Sequence, residues 1–145
     1  MDVSHIGLRV RDLEVSRKFY EALGFAEVKR LTVPDQVAQG LLGLTPPIGF
    51  EAVYLRNGGV VLQLLTFSGH PPPDEPLRGM VGAGLTHLSI AVADMAEAQS
   101  AVTSAGGAVI ADPGGGFACM VRDPDGQLIE LVNERVRPVP VNEGR

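Results

Sequence analysis

This chain repeats itself, and that constrains its fold more than anything else in the sequence. The stretch "HIGLRVRDLE" at 5–14 realigns with "HLSIAVADMA" at 87–96, 82 residues further on. Both begin with His, alternate apolar residues and run into Asp-Leu or Asp-Met. The same offset lays Gly24 on Gly106. Later, "YLRNGGVVLQLL" at 54–65 matches "MVRDPDGQLIELV" at 120–132 with one extra residue in the second turn, which places Gln63 on Glu130. A repeat of this length marks a supersecondary unit used twice, because one copy alone is too small to bury a face. The modules fall at residues 1–66 and 85–134. A Pro- and Gly-rich linker, 67–84, joins them, and 135–145 reads as a loose tail.

Each module reads β-α-β-β-β. Residues 3–10 alternate as a strand does. Asp12 is placed to cap a helix, with Glu14 in its first turn and Gly24 as its left-handed stop. In the second copy Asp94 caps, Glu97 sits three residues on, and Gly106 ends the helix. "AEVKRLT" and "AVIAD" follow as second strands. "FEAVYLR" and "VVLQLLT" form a hairpin across Asn57-Gly58, and "FACMVRD" and "QLIELVN" another across Pro124-Asp125-Gly126. About fifteen extra residues around "QGLLGLTPPIG" interrupt the first copy. The expected fold is α+β: two tandem βαβββ modules forming a cupped mixed sheet around a metal cleft.

Composition narrows the function. With 145 residues, 45% of them hydrophobic and 20% charged, the chain is long enough for a real core. A net charge of −5 without a Lys/Arg cluster argues against a nucleic-acid surface. The lone Cys119 allows no intrachain disulfide and reads as a small buried hydrophobe. The N-terminus lacks a signal-peptide pattern, and no apolar run reaches the roughly 18 residues a spanning helix needs. These features fit a cytoplasmic protein with no membrane partner.

Polar residues inside apolar strands then single out a site. Gln63 lies within "VVLQLLTF" and Glu130 within "LIELV". An unpartnered amide there costs roughly 1–3 kcal/mol, and a carboxylate more. Each has a histidine repeat-mate at the start of its module, His5 and His87. By strand alternation Val61, Gln63 and Leu65 share one face, as do Leu128, Glu130 and Val132. Two imidazoles, an amide oxygen and a carboxylate make a competent set for a divalent ion such as Zn, Ni, Co, Mn or Fe. One formal negative charge in that set leaves net positive charge to polarise a substrate. His70, in the linker, reads as solvated. Phe19 and Tyr20 read as helix-face packing. Glycines 114–116 read as the loose start of a hairpin.

The segments "HIGLRVRDLEVSRKFYEALGF", "HLSIAVADM" and "RDPDGQLIELVN" resemble the vicinal oxygen chelate superfamily. That superfamily includes glyoxalase I, methylmalonyl-CoA epimerase, extradiol dioxygenases and the fosfomycin- and bleomycin-resistance proteins. The resemblance covers about residues 1–134 and puts the family's metal positions on His5, Gln63, His87 and Glu130, a set similar to that of the epimerase. It implies proton transfer alpha to a carbonyl through a metal-stabilised enolate, on a small substrate with adjacent oxygens. Glu130 would be one base. Glu51, in "GFEAVYL", would be a second, since it shares parity with Val53 and Leu55 and so faces the core or the cleft. The segment "DPGGGFACMVRDPDG" departs from the epimerase by lacking Lys, which weakens the case for a CoA-phosphate site. An extradiol-type dioxygenase using Fe(II) or Mn(II) and a non-catalytic drug-binding resistance protein are the alternatives. The family also implies a homodimer.

Overall fold

The computed structural model describes residues 1–139. Residues 140–145, most of the tail expected to be loose, lie outside the described residues. The chain divides into two compact units, Met1–Pro76 and Leu77–Arg145.

The first unit begins with β1 (Ile6–Arg9) and α1 (Leu13–Ala22). Asp12 starts the helix as expected, accepting from the backbone N–H groups of Glu14 and Val15 at 2.9 and 3.0 Å. Gly24 ends it with φ +90°, a conformation that side chains with a Cβ rarely adopt. Then come β2 (Ala26–Val33), α2 (Asp35–Leu42), β3 (Phe50–Asn57) and β4 (Val60–Phe67). The sheet order is β1-β4-β3-β2, with β1 parallel to β4 and the other pairs antiparallel. Helix α1 packs on β3 and β4. It buries Leu13, Ser16, Phe19 and Tyr20. Val53, Leu55, Leu62 and Leu64 are fully buried and share one side of the sheet by alternation.

The second unit repeats this plan with β5 (His87–Val92), α3 (Met95–Ser104), β6 (Ala108–Ala111), β7 (Ala118–Arg122) and β8 (Leu128–Asn133), in the order β5-β8-β7-β6. Asp94 caps α3 by accepting from Glu97 N–H at 2.9 Å, and Gly106 follows with φ +92°. The fold is therefore α+β, two tandem βαβββ modules, each with a four-stranded mixed sheet. Among the described residues, no helix is long and apolar enough to cross a membrane.

Two local expectations change. The first strand is shorter than 3–10, because its ladder with β4 runs only from Ile6 to Arg9, so His5 sits one residue ahead of it. The first hairpin turns at Gly58-Gly59 rather than Asn57-Gly58. Asn57 still pairs with Val60, and its side chain donates to the Leu23 carbonyl at 3.4 Å. Helix α2 falls at the extra residues of the first copy, where no element was expected. Ala38 of that helix joins Ile48, Phe50 and Ala52 in a buried cluster against which Leu65, Phe67 and Tyr54 pack. The helix thus covers one end of the sheet face opposite α1.

Asp35 ties α2 to the start of β3 by accepting from Gly49 and Ile48 N–H, both at 3.0 Å. These two backbone donors, Gly49 foremost, hold its carboxyl below the ordinary range. A lowered folded-state pKa adds stability that is present above the unfolded value and lost as pH falls through the folded one. Asp35→Ala should therefore be less stable than the native chain at pH 7, with the two converging in acid, as read by urea unfolding at a series of pH values. A gap that stays constant down to strong acid would contradict this.

Candidate metal and active site

In the first unit the β1–β4 register sets Gly7 opposite Gln63, and the β3–β4 register sets Tyr54 opposite Gln63. Cross-strand partners share a face, so Gly7, Gln63 and Tyr54 stand together on the side away from α1. His5, two residues before Gly7, lies edge-on to Tyr54, with ring centroids 5.4 Å apart at 82°. Gln63 donates its amide Nε2–H to the Tyr54 hydroxyl at 2.7 Å. The half-buried amide of "VVLQLLTF" thus has a phenol as partner on its nitrogen. The amide oxygen stays on the Gly7 side, 3.6 Å from where a Cβ on Gly7 would stand.

The second unit has the same construction. Ser89 pairs with Glu130 across β5–β8, and Met120 pairs with Glu130 across β7–β8. Ser89 Oγ donates to Glu130 Oε2 at 2.6 Å, and His87 Nε2 lies 3.9 Å from the same oxygen. Both side chains remain about a third exposed, His87 at 29% and Glu130 at 35%. Glu130 also borders a recess of about 580 Å³ whose other walls include Pro113, Ala118 and Met120.

Both imidazoles are held in the same way. His5 Nδ1 is 3.0 Å from the hydroxyl of Ser4, and His87 Nδ1 is 2.9 Å from that of Thr86. A hydroxyl engaged at Nδ1 leaves Nε2 as the ring atom available to a ligand. Ser4 and Thr86 were missed from the sequence, although the signal was there: hydroxyl-His dipeptides stand 82 residues apart. Tyr54 was missed as well. Among the described residues, no group of three or more His, Cys, Asp or Glu side chains is gathered. Each unit instead offers a pair, imidazole with amide or imidazole with carboxylate.

Glu51 is not brought to Gln63. It pairs with Thr66 and Thr32, one residue out of step with Tyr54 and Ala52, so alternation turns it to the α1 side of the sheet. There it is exposed and lines a separate recess of about 490 Å³ at the start of α1, with Asp12, Glu14 and Arg30. Arg30 is itself engaged by Glu27 at 3.1 Å and Glu14 at 2.8 Å. His70 is not merely solvated, because its Nε2 lies 2.6 Å from the Thr45 carbonyl. Cys119 is buried beside Met95, with 3.5 Å between the sulfurs. Phe19 and Tyr20 are wholly buried, as expected for helix-face packing.

Residues 2–131 match the profile of the glyoxalase/bleomycin resistance protein/dioxygenase superfamily. The chain belongs to that superfamily. Within it, the chain is 30% identical over 144 residues to a probable chloroplastic lactoylglutathione lyase of Arabidopsis thaliana, covering 94% of this chain and 37% of that protein. It is 28% identical over 138 residues to a probable lactoylglutathione lyase of Vibrio parahaemolyticus, covering 92% and 91%. The chain spans less than half the length of the plant relatives it matches. The trypanothione-dependent glyoxalase I of Leishmania major has a similar structure, with a TM-score of 0.69 at 26% identity, covering 93% of this chain and 88% of that one. Members of the glyoxalase superfamily act on small molecules and use divalent metals, and the superfamily also holds proteins without enzymatic activity.

Proposed function

We propose that the chain is a metal-dependent enzyme of the glyoxalase type that transfers a proton at carbon alpha to a carbonyl. His5, Gln63, His87 and Glu130 would be the ligands of a divalent ion. The observation that carries this reading is the matched construction of the two half-sites. Each presents an imidazole with Nδ1 engaged by a neighbouring hydroxyl, beside one oxygen donor that a second side chain holds in place. The donor chemistry fits, since two imidazoles, an amide oxygen and one carboxylate suit a first-row divalent cation and leave it net positive. Bound there, such an ion would supply the charge that makes a proton beside the substrate carbonyl acidic.

The protein's own groups would do the rest. Glu130 takes the proton from carbon and returns it to the neighbouring atom, which general-base geometry permits for a partly exposed carboxylate beside an open recess. Ser89 keeps one carboxylate oxygen of Glu130 engaged. Pro113, Ala118 and Met120 offer apolar surface beside it. Glu51 has no part in this scheme.

The test is to strip the protein with chelator, reload it with Zn, Ni, Co, Mn or Fe, and assay glutathione hemithioacetals and acyl thioesters. Metal-dependent isomerisation, or exchange of the alpha proton with solvent deuterium, supports the reading. Oxygen consumption with catechols, without proton exchange, would replace it with the dioxygenase. Tight ligand binding by the metal-free protein, without turnover, would replace it with a binding protein.

A further inference from the structure

The two half-sites solve one problem with opposite chemistry. A carboxylate can only accept, so fixing it takes a donor, and Ser89 Oγ donates to Glu130 at 2.6 Å. A primary amide presents an oxygen at one end and an NH₂ at the other, and only the oxygen binds a cation. Fixing its orientation takes an acceptor on the nitrogen. In the second unit the residue opposite Glu130 on β7 is Met120, which offers no strong acceptor. In the first unit the residue opposite Gln63 on β3 is Tyr54, whose hydroxyl takes the Nε2–H at 2.7 Å. In the other half of this arrangement, Gly7 stands where the repeat places Ser89. A Cβ there would stand 3.6 Å from the Gln63 oxygen, an ordinary contact.

Resting on the metal reading above, we propose that Tyr54 is a positioning residue for the metal site: its hydroxyl fixes which end of Gln63 faces the ion. Its ring also braces His5, edge-on at 5.4 Å. Tyr54 therefore touches both donors of the first unit. The ring is in turn seated against the buried cluster that α2 closes around Ile48, Phe50 and Ala52. That seating gives the phenol a fixed place from which to orient the amide. The helix inserted in the first copy, for which the second has no counterpart, thereby supports the site.

The experiment is a double-mutant cycle on metal affinity, measured without substrate by competition of Zn(II) against a chromophoric chelator. Tyr54→Phe keeps the ring and its contact with His5 and removes the acceptor. Far-UV circular dichroism of each variant checks that it folds. The expected loss in affinity for Tyr54→Phe is about tenfold, the low end for residues that orient a ligand. In a Gln63→Ala background the same substitution should change affinity less than twofold, because there is no amide left to orient. A native-like affinity for Tyr54→Phe, while Gln63→Ala binds weakly, overturns the role of Tyr54 and leaves the metal site standing. A tenfold loss that persists in the Gln63→Ala background overturns the route through the amide. Failure of the unsubstituted protein to bind the ion overturns the metal site, and this inference with it.

Discussion

Glu130→Gln should lower kcat on a hemithioacetal or thioester substrate by roughly 10²–10⁴-fold at saturating metal, the range expected when a positioned base is lost. The substitution is nearly isosteric. It leaves Ser89 a partner and the neighbouring recess its shape. Metal affinity should fall too, since one charge is withdrawn from the donor set. Measuring rate against metal concentration to saturation separates the two losses. The expected result is a low plateau, not merely a curve shifted to higher metal. Substitution of Glu51 by Gln serves as the contrast, because this carboxylate faces the α1 side of its sheet, and its plateau should stay within about twofold of the native one, in keeping with a substitution outside the reacting groups. A native plateau for Glu130→Gln would refute the assignment of the base.

The second large effect is on folding. Phe19→Ala should destabilise the first unit by about 3–5 kcal/mol, as expected for deleting a fully buried aromatic ring. Phe19 is 0% exposed and lies edge-on to Tyr20, with centroids 5.2 Å apart, and Tyr20 meets Phe25 in the same way at 5.7 Å. The ring sits on the helix that packs on β3 and β4, the strands carrying Tyr54 and Gln63, but on the far face from both. Urea unfolding followed at the tyrosines reads the loss. Protein still folded at low urea should keep its metal affinity within a fewfold. A loss below 1 kcal/mol would mean that the ring is not the packing centre its burial implies.

Much of this was legible in the sequence because the repeat fixes register. Once His5 is laid on His87 and Gln63 on Glu130, Gly7 falls on Ser89, and the structure gives those two the same cross-strand place, opposite Gln63 and Glu130. Asp12 and Asp94 were legible because a helix N-terminus needs an acceptor and the sequence supplies one at the right place. Helix α2 was not. It is short, carries Gly40 in its interior, has no side-chain cap at Pro34 and buries only Ala38, so neither periodicity nor capping marks it. Its stability comes from tertiary contacts made at Ile48 and Phe50, which lie beyond it in sequence. The turn was misread by one residue because Asn-Gly and Gly-Gly both suit a tight hairpin, and only the pairing of Asn57 with Val60 decides between them. Glu51 shows a different limit. Its parity with Val53 and Leu55 was correctly read, but parity says which residues share a face and not which face a helix will cover.

The inserted helix also has a consequence for access. It roofs the stretch of the first sheet around Phe50 and Ala52, while the opposite end of the same strands, at the Gly58-Gly59 turn, stays exposed. On that unit the face that carries Gln63 is therefore closed at its Phe50 end, while Arg56 and Val61 stand on the same face towards the turn.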